Sequence, residues 1–398
     1  MNNLTTVTLP TATRLHLVGV AGTGMQPLAI LLHEAGYVVS GSDRTDGPRM
    51  AALRALGIEA LAGSHPQAVQ GAAQLVTSPL IPADDPEMRA ARRLGIPVLA
   101  RADMLAQLVA TRDTICVSGS HGKTTTSALL THILLQAGRD PGFMVGGAVP
   151  DLGTASARLG RPAAPFVLEA CEAFGALAAW QPRHIILTNI DDEHADDYGG
   201  LAGLKAAFRS YIDRLPTGGV LVACGDDPGV AALLADGKSG ALTYGFGPDN
   251  RLRVVPGPDA GCVALALDGV TMGQVSLPLP GRYMVLNAVA AAGMALALGV
   301  DWPDITAAIG SFTGVARRMQ RFGETGGITV LDDCAHHPTE VAATVQAVRA
   351  LLPQTERLVV VLEAQRHKRL VKLATGYAAA LRAADLVLLM AVDGACRT

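Results

Sequence analysis

At 398 residues and a formal charge of −3, the chain is longer than one hydrophobic core usually organises, so two or three domains are expected. Hydrophobic residues make up 49% and charged ones 17%, which excludes a disordered chain and suits α/β folds with buried parallel strands. The balance also lacks the basic stripe of a nucleic-acid binder, so small-molecule partners and no nucleic acid are expected.

In chain order, Leu15-His16-Leu17-Val18 enters the turn Gly19-Val20-Ala21-Gly22-Thr23-Gly24-Met25, and a helical pattern follows at Leu28, Leu31, Leu32 and Ala35. A second strand, Tyr37 to Asp43, ends in an acid, and further short strands are expected at Gln74–Thr77 and Ile96–Leu99. Residues 1–110 thus read as a small doubly wound, Rossmann-like domain. The Gly-x-x-Gly-x-Gly spacing departs from the dinucleotide fingerprint. A dinucleotide, with Asp43 on a ribose, and a nucleotide-sugar diphosphate remain equal readings, because both bring a pyrophosphate close to backbone at a helix N-terminus.

The middle segment, 111–313, opens with Thr114-Ile115-Cys116-Val117 and then Gly119-Ser120-His121-Gly122-Lys123-Thr124-Thr125-Thr126. A strand, a glycine loop and a helix N-terminus in that order place backbone N–H groups and the helix dipole around a phosphate. Lys123 is expected on the terminal phosphates of ATP and the Thr124 hydroxyl on Mg2+. Val117 stands where the standard loop has its first glycine, so the shorter motif also fits a plain glycine turn with a surface lysine.

Strands are expected at Pro165–Glu169, His184–Asn189 and Val220–Ala223, two of them ending on Glu169 and on Asn189 with Asp191-Asp192-Glu193-His194 beyond. Ligands of open parallel sheets sit past the carboxyl ends of strands, which makes Glu169 and His194 metal candidates beside Thr124. The plain alternatives are a strand-end surface acid and a helix-capping histidine. The most apolar window, Val285 to Val300, is interrupted by Asn287, Gly293 and Gly299 and reads as a buried helix, so no membrane insertion is expected. Six cysteines without Cys-x-x-Cys spacing or a zinc pattern read as reduced thiols of a cytoplasmic protein.

From Gly314-Val315-Ala316-Arg317-Arg318 to residue 398, a second Rossmann-like pattern carries Asp332-Asp333-Cys334-Ala335-His336-His337-Pro338-Thr339-Glu340, a helix from Val341 to Leu352, and strands at Leu358–Leu362 and Leu386–Met390. This segment is near the lower limit for an independent domain, and a doubly wound sheet cut short there would expose an edge and an apolar face.

Taken together, Gly19 to Met25, Ser40-Gly41-Ser42-Asp43, the Gly-x-His-Gly-Lys-Thr-Thr loop, Thr188-Asn189-Ile190 with His194, the Arg317-Arg318 pair and the His-His-Pro-Thr-Glu run resemble the Mur ligases over nearly the whole chain. The histidines in the loop and in the last run point to the alanine-adding branch or to its murein-tripeptide-recycling relatives.

The resemblance implies an N-terminal domain holding UDP-N-acetylmuramate, a central ATPase and a C-terminal domain presenting L-alanine. It implies that ATP phosphorylates the lactyl carboxylate, that the amine of L-alanine attacks the acyl phosphate, and that phosphate leaves a tetrahedral intermediate. On it, Lys123, His194, Arg317 and Arg318 are catalytic, with Thr124, Glu169 and His194 on Mg2+. ATP falls to Gly119, Ser120, His121, Gly122, Lys123, Thr124, Thr125 and Asn287. The sugar and amino acid fall to Gly19, Gly22, Gly24, Met25, Ser42, Asp43, Ser78, His336, His337, Arg366 and Arg369.

Departures from the family pattern cluster at the site. Cys171 replaces an acid within Glu169-Ala170-Cys171-Glu172, and Tyr283-Met284 replaces His-Asn after Gly281-Arg282. Cys334 replaces a tyrosine, and Leu362-Glu363-Ala364-Gln365 replaces Phe-Gln-Pro-His. They motivate a second expectation, a paralogue that binds nucleotide or UDP-sugar with impaired catalysis, and a third, a ligase with another acceptor. Oligomerisation is left open. A nicotinamide-dependent dehydrogenase built on the Gly19–Gly24 turn would leave the second phosphate loop without a purpose.

Overall fold

The computed structural model describes residues 10–391 apart from 154–155, 236–239, 258–260, 279, 354 and 365–366. Five parallel strands form the first sheet: β1 (Arg14–Val18), β2 (Val38–Asp43), β3 (Glu59–Ala62), β4 (Gln74–Thr77) and β5 (Val98–Ala100), in the order β3-β2-β1-β4-β5. The helix Met25–Glu34 covers β1 with Leu28, Leu31 and Leu32, all fully buried with Leu15 and Leu17. Each such side chain contributes about 1.5–3 kcal/mol of transfer free energy. Because the order reverses at β1, the turn after it lies between the carboxyl ends of β2 and β4, where an α/β sheet opens a crevice.

The second sheet has ten strands: β6 (Thr114–Ser118), β7 (Gly142–Met144), β8 (Ala157–Arg158), β9 (Phe166–Glu169), β10 (His184–Leu187), β11 (Leu221–Cys224), β12 (Leu242–Gly245), β13 (Leu252–Pro256), β14 (Cys262–Leu267) and β15 (Val270–Ser276). Their order is β15-β14-β13-β12-β11-β10-β6-β9-β7-β8, parallel from β7 through β13 across the middle and antiparallel at both edges. β6 is flanked by β9 and β10, so the loop that follows it meets Glu169 on one side and Thr188 and Asn189 on the other. The apolar window falls in the helix Arg282–Ala297, which buries Ala288 to Ala292 and Met294 against this sheet. Among the described residues, no helix is long and apolar enough to cross a membrane.

Among the described residues, the last segment does not form one continuous sheet. Its strands separate into an antiparallel hairpin, β16 (Gln320–Thr325) with β17 (Ile328–Asp332), and a parallel pair, β18 (Val359–Leu362) with β19 (Leu386–Leu389). The helix Pro338–Leu351 packs Val341, Val345 and Val348 into a small core with Tyr377 and Leu381. On the parallel pair, Val361 is 59% and Leu389 65% exposed.

Candidate functional site

The loop after β6 is shaped by glycines that no other residue replaces without strain. Gly119 has φ +124°, and a Cβ there would stand 2.2 Å from Thr188 Oγ1. Gly122 has φ +82°, and a Cβ would stand 2.4 Å from Asn287 Oδ1. The end of β10 pins the loop: the Ser120 amide donates to the Asn189 carbonyl (3.1 Å), the His121 amide to Asn189 Oδ1 (2.8 Å), and the Thr188 hydroxyl to the His121 carbonyl (2.7 Å). The helix Lys123–Gln136 starts directly at Gly122, so its first N–H groups lack intrahelical acceptors and face outward as an anion cradle. Asn287 braces this turn from the neighbouring helix, accepting from Thr126 Oγ1 at 3.3 Å, and is 6% exposed.

Two carboxylates converge on the loop from β9 and the residues after it. Thr124 Oγ1 donates to Glu169 Oε1 (3.0 Å), whose other oxygen accepts from the Gly146 amide (2.6 Å). Lys123 Nζ donates to Glu172 Oε2 (3.0 Å) and to the carbonyls of Gly119 (2.6 Å) and Ser120 (2.9 Å). Burial alone would discharge Lys123, but the carboxylates of Glu172 and, further off, Glu169 outweigh it and hold the ammonium above its usual range. Cys171, in the place of an acid, is pushed up by burial against the pull of Lys123, so at neutral pH it is a thiol.

A cavity of about 410 Å3 opens beside the loop, walled by Thr125, Ile190, Tyr283 and Met284 on the central domain and by Thr339 and Glu340 of the C-terminal helix. His121 clasps the two domains across its mouth. Nε2 lies 2.9 Å from Asp191 Oδ2 and Nδ1 3.3 Å from Glu340 Oε1, and the imidazole packs on His337 with 5.1 Å between ring centres. Burial opposes a charged imidazole, yet the hydrogen bonds to Asp191 and Glu340 push its pKa up to about 9. Both carboxylates are held well below their usual range, Asp191 chiefly by the hydrogen bond from His121, and Glu340 by His121 against its own burial. Thr339 Oγ1 adds a bond to Asp191 Oδ2 at 2.6 Å. His337 caps the C-terminal helix in a capping box with Glu340.

The remaining expected residues distribute unevenly. Arg318 is half-buried and lines the cavity near Asp333, whereas Arg317, at φ +59°, turns away to pair with Asp332 (3.0 Å). Among the described residues, His194 makes no hydrogen bond or ion pair with Thr124 or Glu169. It sits at φ +58° on the short turn Ala195–Tyr198, with Nε2 3.5 Å from Glu193 Oε1. Glu193 instead gathers C-terminal groups, accepting from Arg369 Nη2 (2.5 Å) with His336 Nε2 3.9 Å away. Arg366 and Gln365 lie outside the described residues.

In the first domain, Gly19 (φ +77°), Gly22 and Gly24 form the turn, and the Asp43 carboxylate accepts from the Ala21 and Thr45 amides at 3.0 and 3.2 Å. Asp43 therefore holds the turn rather than standing free. Met25 and Ser42 face inward: Met25 is 2% exposed, and the Ser42 hydroxyl donates to buried Glu87 (2.6 Å), which also meets His16 (3.1 Å). Ser78 follows β4, its hydroxyl accepting from the Leu80 amide.

Sequence reasoning assigned no role to Glu172, Asp191, Glu193, Glu340 or Arg101. The acid run at 191–193 and the second acid after Glu169 were visible signals; Arg101, alone between an alanine and an alanine, carried none.

Residues 14–113 match the model described as "Mur ligase family, catalytic domain", 117–295 the "Mur ligase middle domain" and 317–397 the "Mur ligase, glutamate ligase domain". The chain is 39% identical to the UDP-N-acetylmuramate–L-alanine ligase of Solidesulfovibrio magneticus, covering 94% of this chain and 82% of that protein. It is 38% identical to the enzyme of the same name from Leptothrix cholodnii, covering 96% and 83%. Among solved structures it is similar to the UDP-N-acetylmuramate–alanine ligase of Thermotoga maritima, with TM-score 0.82 and 26% identity over 95% of this chain and 85% of that one. It is also similar to the Neisseria meningitides ligase that joins UDP-N-acetylmuramate to L-alanyl-γ-D-glutamyl-meso-diaminopimelate, with TM-score 0.72 and 28% identity over 77% and 100%.

Proposed function

Because the chain belongs to the Mur ligase family, we propose that it is the ATP-dependent ligase that joins L-alanine to UDP-N-acetylmuramate, a cytoplasmic step of peptidoglycan precursor synthesis. The observation that carries this reading is the loop at the switch point of the central sheet. There Lys123 and the Thr124–Glu169 pair stand at one end of a cavity closed by the C-terminal helix.

The γ-phosphate of ATP fits the cradle of N–H groups at Lys123, Thr124 and Thr125, with the base toward Ile190, Tyr283, Met284 and Asn287. Lys123, kept charged by Glu172, neutralises the phosphate oxygens as the phosphoryl group leaves. Thr124 and Glu169 supply hard oxygen donors suited to Mg2+, which would shield charge between the β- and γ-phosphates. Arg318 faces the cavity and is placed to offset charge on the acyl phosphate; Arg317, paired with Asp332, supports the turn that presents it. The sugar nucleotide occupies the Gly19–Gly24 turn, and L-alanine approaches from the side of His336 and Arg369. The replacement of an acid by Cys171 leaves the Lys123 contact in place, since Glu172 remains on Lys123.

Incubation of purified protein with UDP-N-acetylmuramate, ATP, Mg2+ and L-alanine should release ADP and phosphate and yield the alanyl product. Lys123→Ala should lower kcat/KM by about 10³ or more. Turnover with the tripeptide L-alanyl-γ-D-glutamyl-meso-diaminopimelate but not L-alanine would replace the acceptor, and no turnover with either would refute the reading.

A further inference from the structure

A second cavity, about 190 Å3, lies between the first and central domains, walled by Pro79, Arg101 and Asp103 on one side and by the segment around Phe174 on the other. Arg101 opens the helix Arg101–Val109, and its guanidinium lies over the Gly19–Gly24 turn. A Cβ at Gly24 would stand 3.1 Å from its Nε, Cζ and Nη1, so the glycine is what lets the charge rest there.

Among the described residues this guanidinium makes no hydrogen bond and no ion pair, not even with Asp103 on its own helix. Burial presses its pKa down, opposed by the Glu169 carboxylate across the domain boundary. A half-buried arginine without a protein acceptor keeps its donors available to a ligand. Its fork is suited to a carboxylate or a phosphate. Facing it, Phe174 is 50% exposed and held at φ +58° by its amide bond to Asp197 (2.6 Å), a strained conformation that keeps an aromatic ring at the cavity edge.

We infer that Arg101 is an oxyanion-binding residue for the sugar nucleotide, gripping its diphosphate or its lactyl carboxylate in the cavity between Gly24 and Phe174. The inference rests on the proposed function for the identity of that ligand. The two sources share one chemistry, and three ligands separate them: UDP-N-acetylmuramate carries both groups, while UDP-N-acetylglucosamine and UDP carry only the diphosphate.

Calorimetric binding of the three to the full-length wild type, Arg101→Met and Arg101→Lys tests it. We expect Arg101→Met to weaken UDP-N-acetylmuramate binding at least tenfold, with Arg101→Lys recovering part of the loss. A loss confined to UDP-N-acetylmuramate assigns the carboxylate, and a loss across all three assigns the diphosphate. Equal binding of all three by wild type and both variants overturns the inference. If Arg101→Met does not fold, as judged by its thermal transition, Arg101→Gln takes its place. Lys123→Ala should lose turnover while still binding the sugar nucleotide. A wild type that binds none of the three would instead count against the functional reading itself.

Discussion

The clasp between the phosphate loop and the C-terminal helix joins two domains through the charged pairs of His121 with Asp191 and Glu340. Asp191→Asn keeps the shape of the side chain and removes the charge 2.9 Å from His121 Nε2. Raising the imidazole from its ordinary 6.5 to about 9 corresponds to about 3 kcal/mol favouring its charged form. Asp191 and Glu340 share that work against an unchanged burial penalty, so losing one should cost about 1.5–2 kcal/mol and lower the titration midpoint by a little over one pH unit.

The sign follows from linkage. The His121 contribution is complete below pH 6.5 and is lost as pH rises through about 9. The Asp191 and Glu340 contributions are present above their ordinary values of 3.8 and 4.5 and are lost as pH falls toward their depressed ones. His337, the other titratable group facing the imidazole, is kept neutral chiefly by burial. Docking of the C-terminal segment is therefore firmest from about pH 5 to 8.

Proton NMR of the His121 ring, assigned by difference against His121→Asn, reads the midpoint, and thermal unfolding against pH reads the stability. A wild-type midpoint near 6.5, or one that Asp191→Asn leaves in place, would refute the clasp.

Gly119→Ala forces a side chain into φ +124° with its Cβ 2.2 Å from Thr188 Oγ1, so a loss of about 2–3 kcal/mol in loop stability and a rise in KM for ATP are expected. Unchanged KM and thermal midpoint would contradict the loop geometry. Cys171, held protonated by burial, should react with iodoacetamide slowly at pH 7.5 and faster as pH rises. Peptide mapping that finds it among the fastest-labelled cysteines at neutral pH would contradict its protonation.

The sequence by itself determined the parts that local rules encode. Short continuous apolar runs marked β1, β2, β4, β6, β9, β10 and β11 to within a residue or two, because strands buried on both faces are apolar nearly throughout. The glycines at 119 and 122 and Lys123 marked the phosphate loop, since only a glycine turn leading into a helix leaves N–H groups free for an anion. Strands such as β12, Gly142–Met144 and Glu59–Ala62 were not read, because none carries a run of Val or Ile to set it apart from a loop or a helix.

Which charged groups meet was settled only by tertiary structure, because those pairs join elements far apart in the chain. His121 meets Glu340 from another domain, Lys123 takes Glu172 rather than leaving it to solvent, and His194 turns to Glu193 instead of Glu169. Coulomb and desolvation terms depend on distance and burial, and neither quantity is written in the order of residues. Arg101 shows the same limit most sharply: an ordinary arginine in the sequence, it becomes an unpaired charge only once two domains close over it.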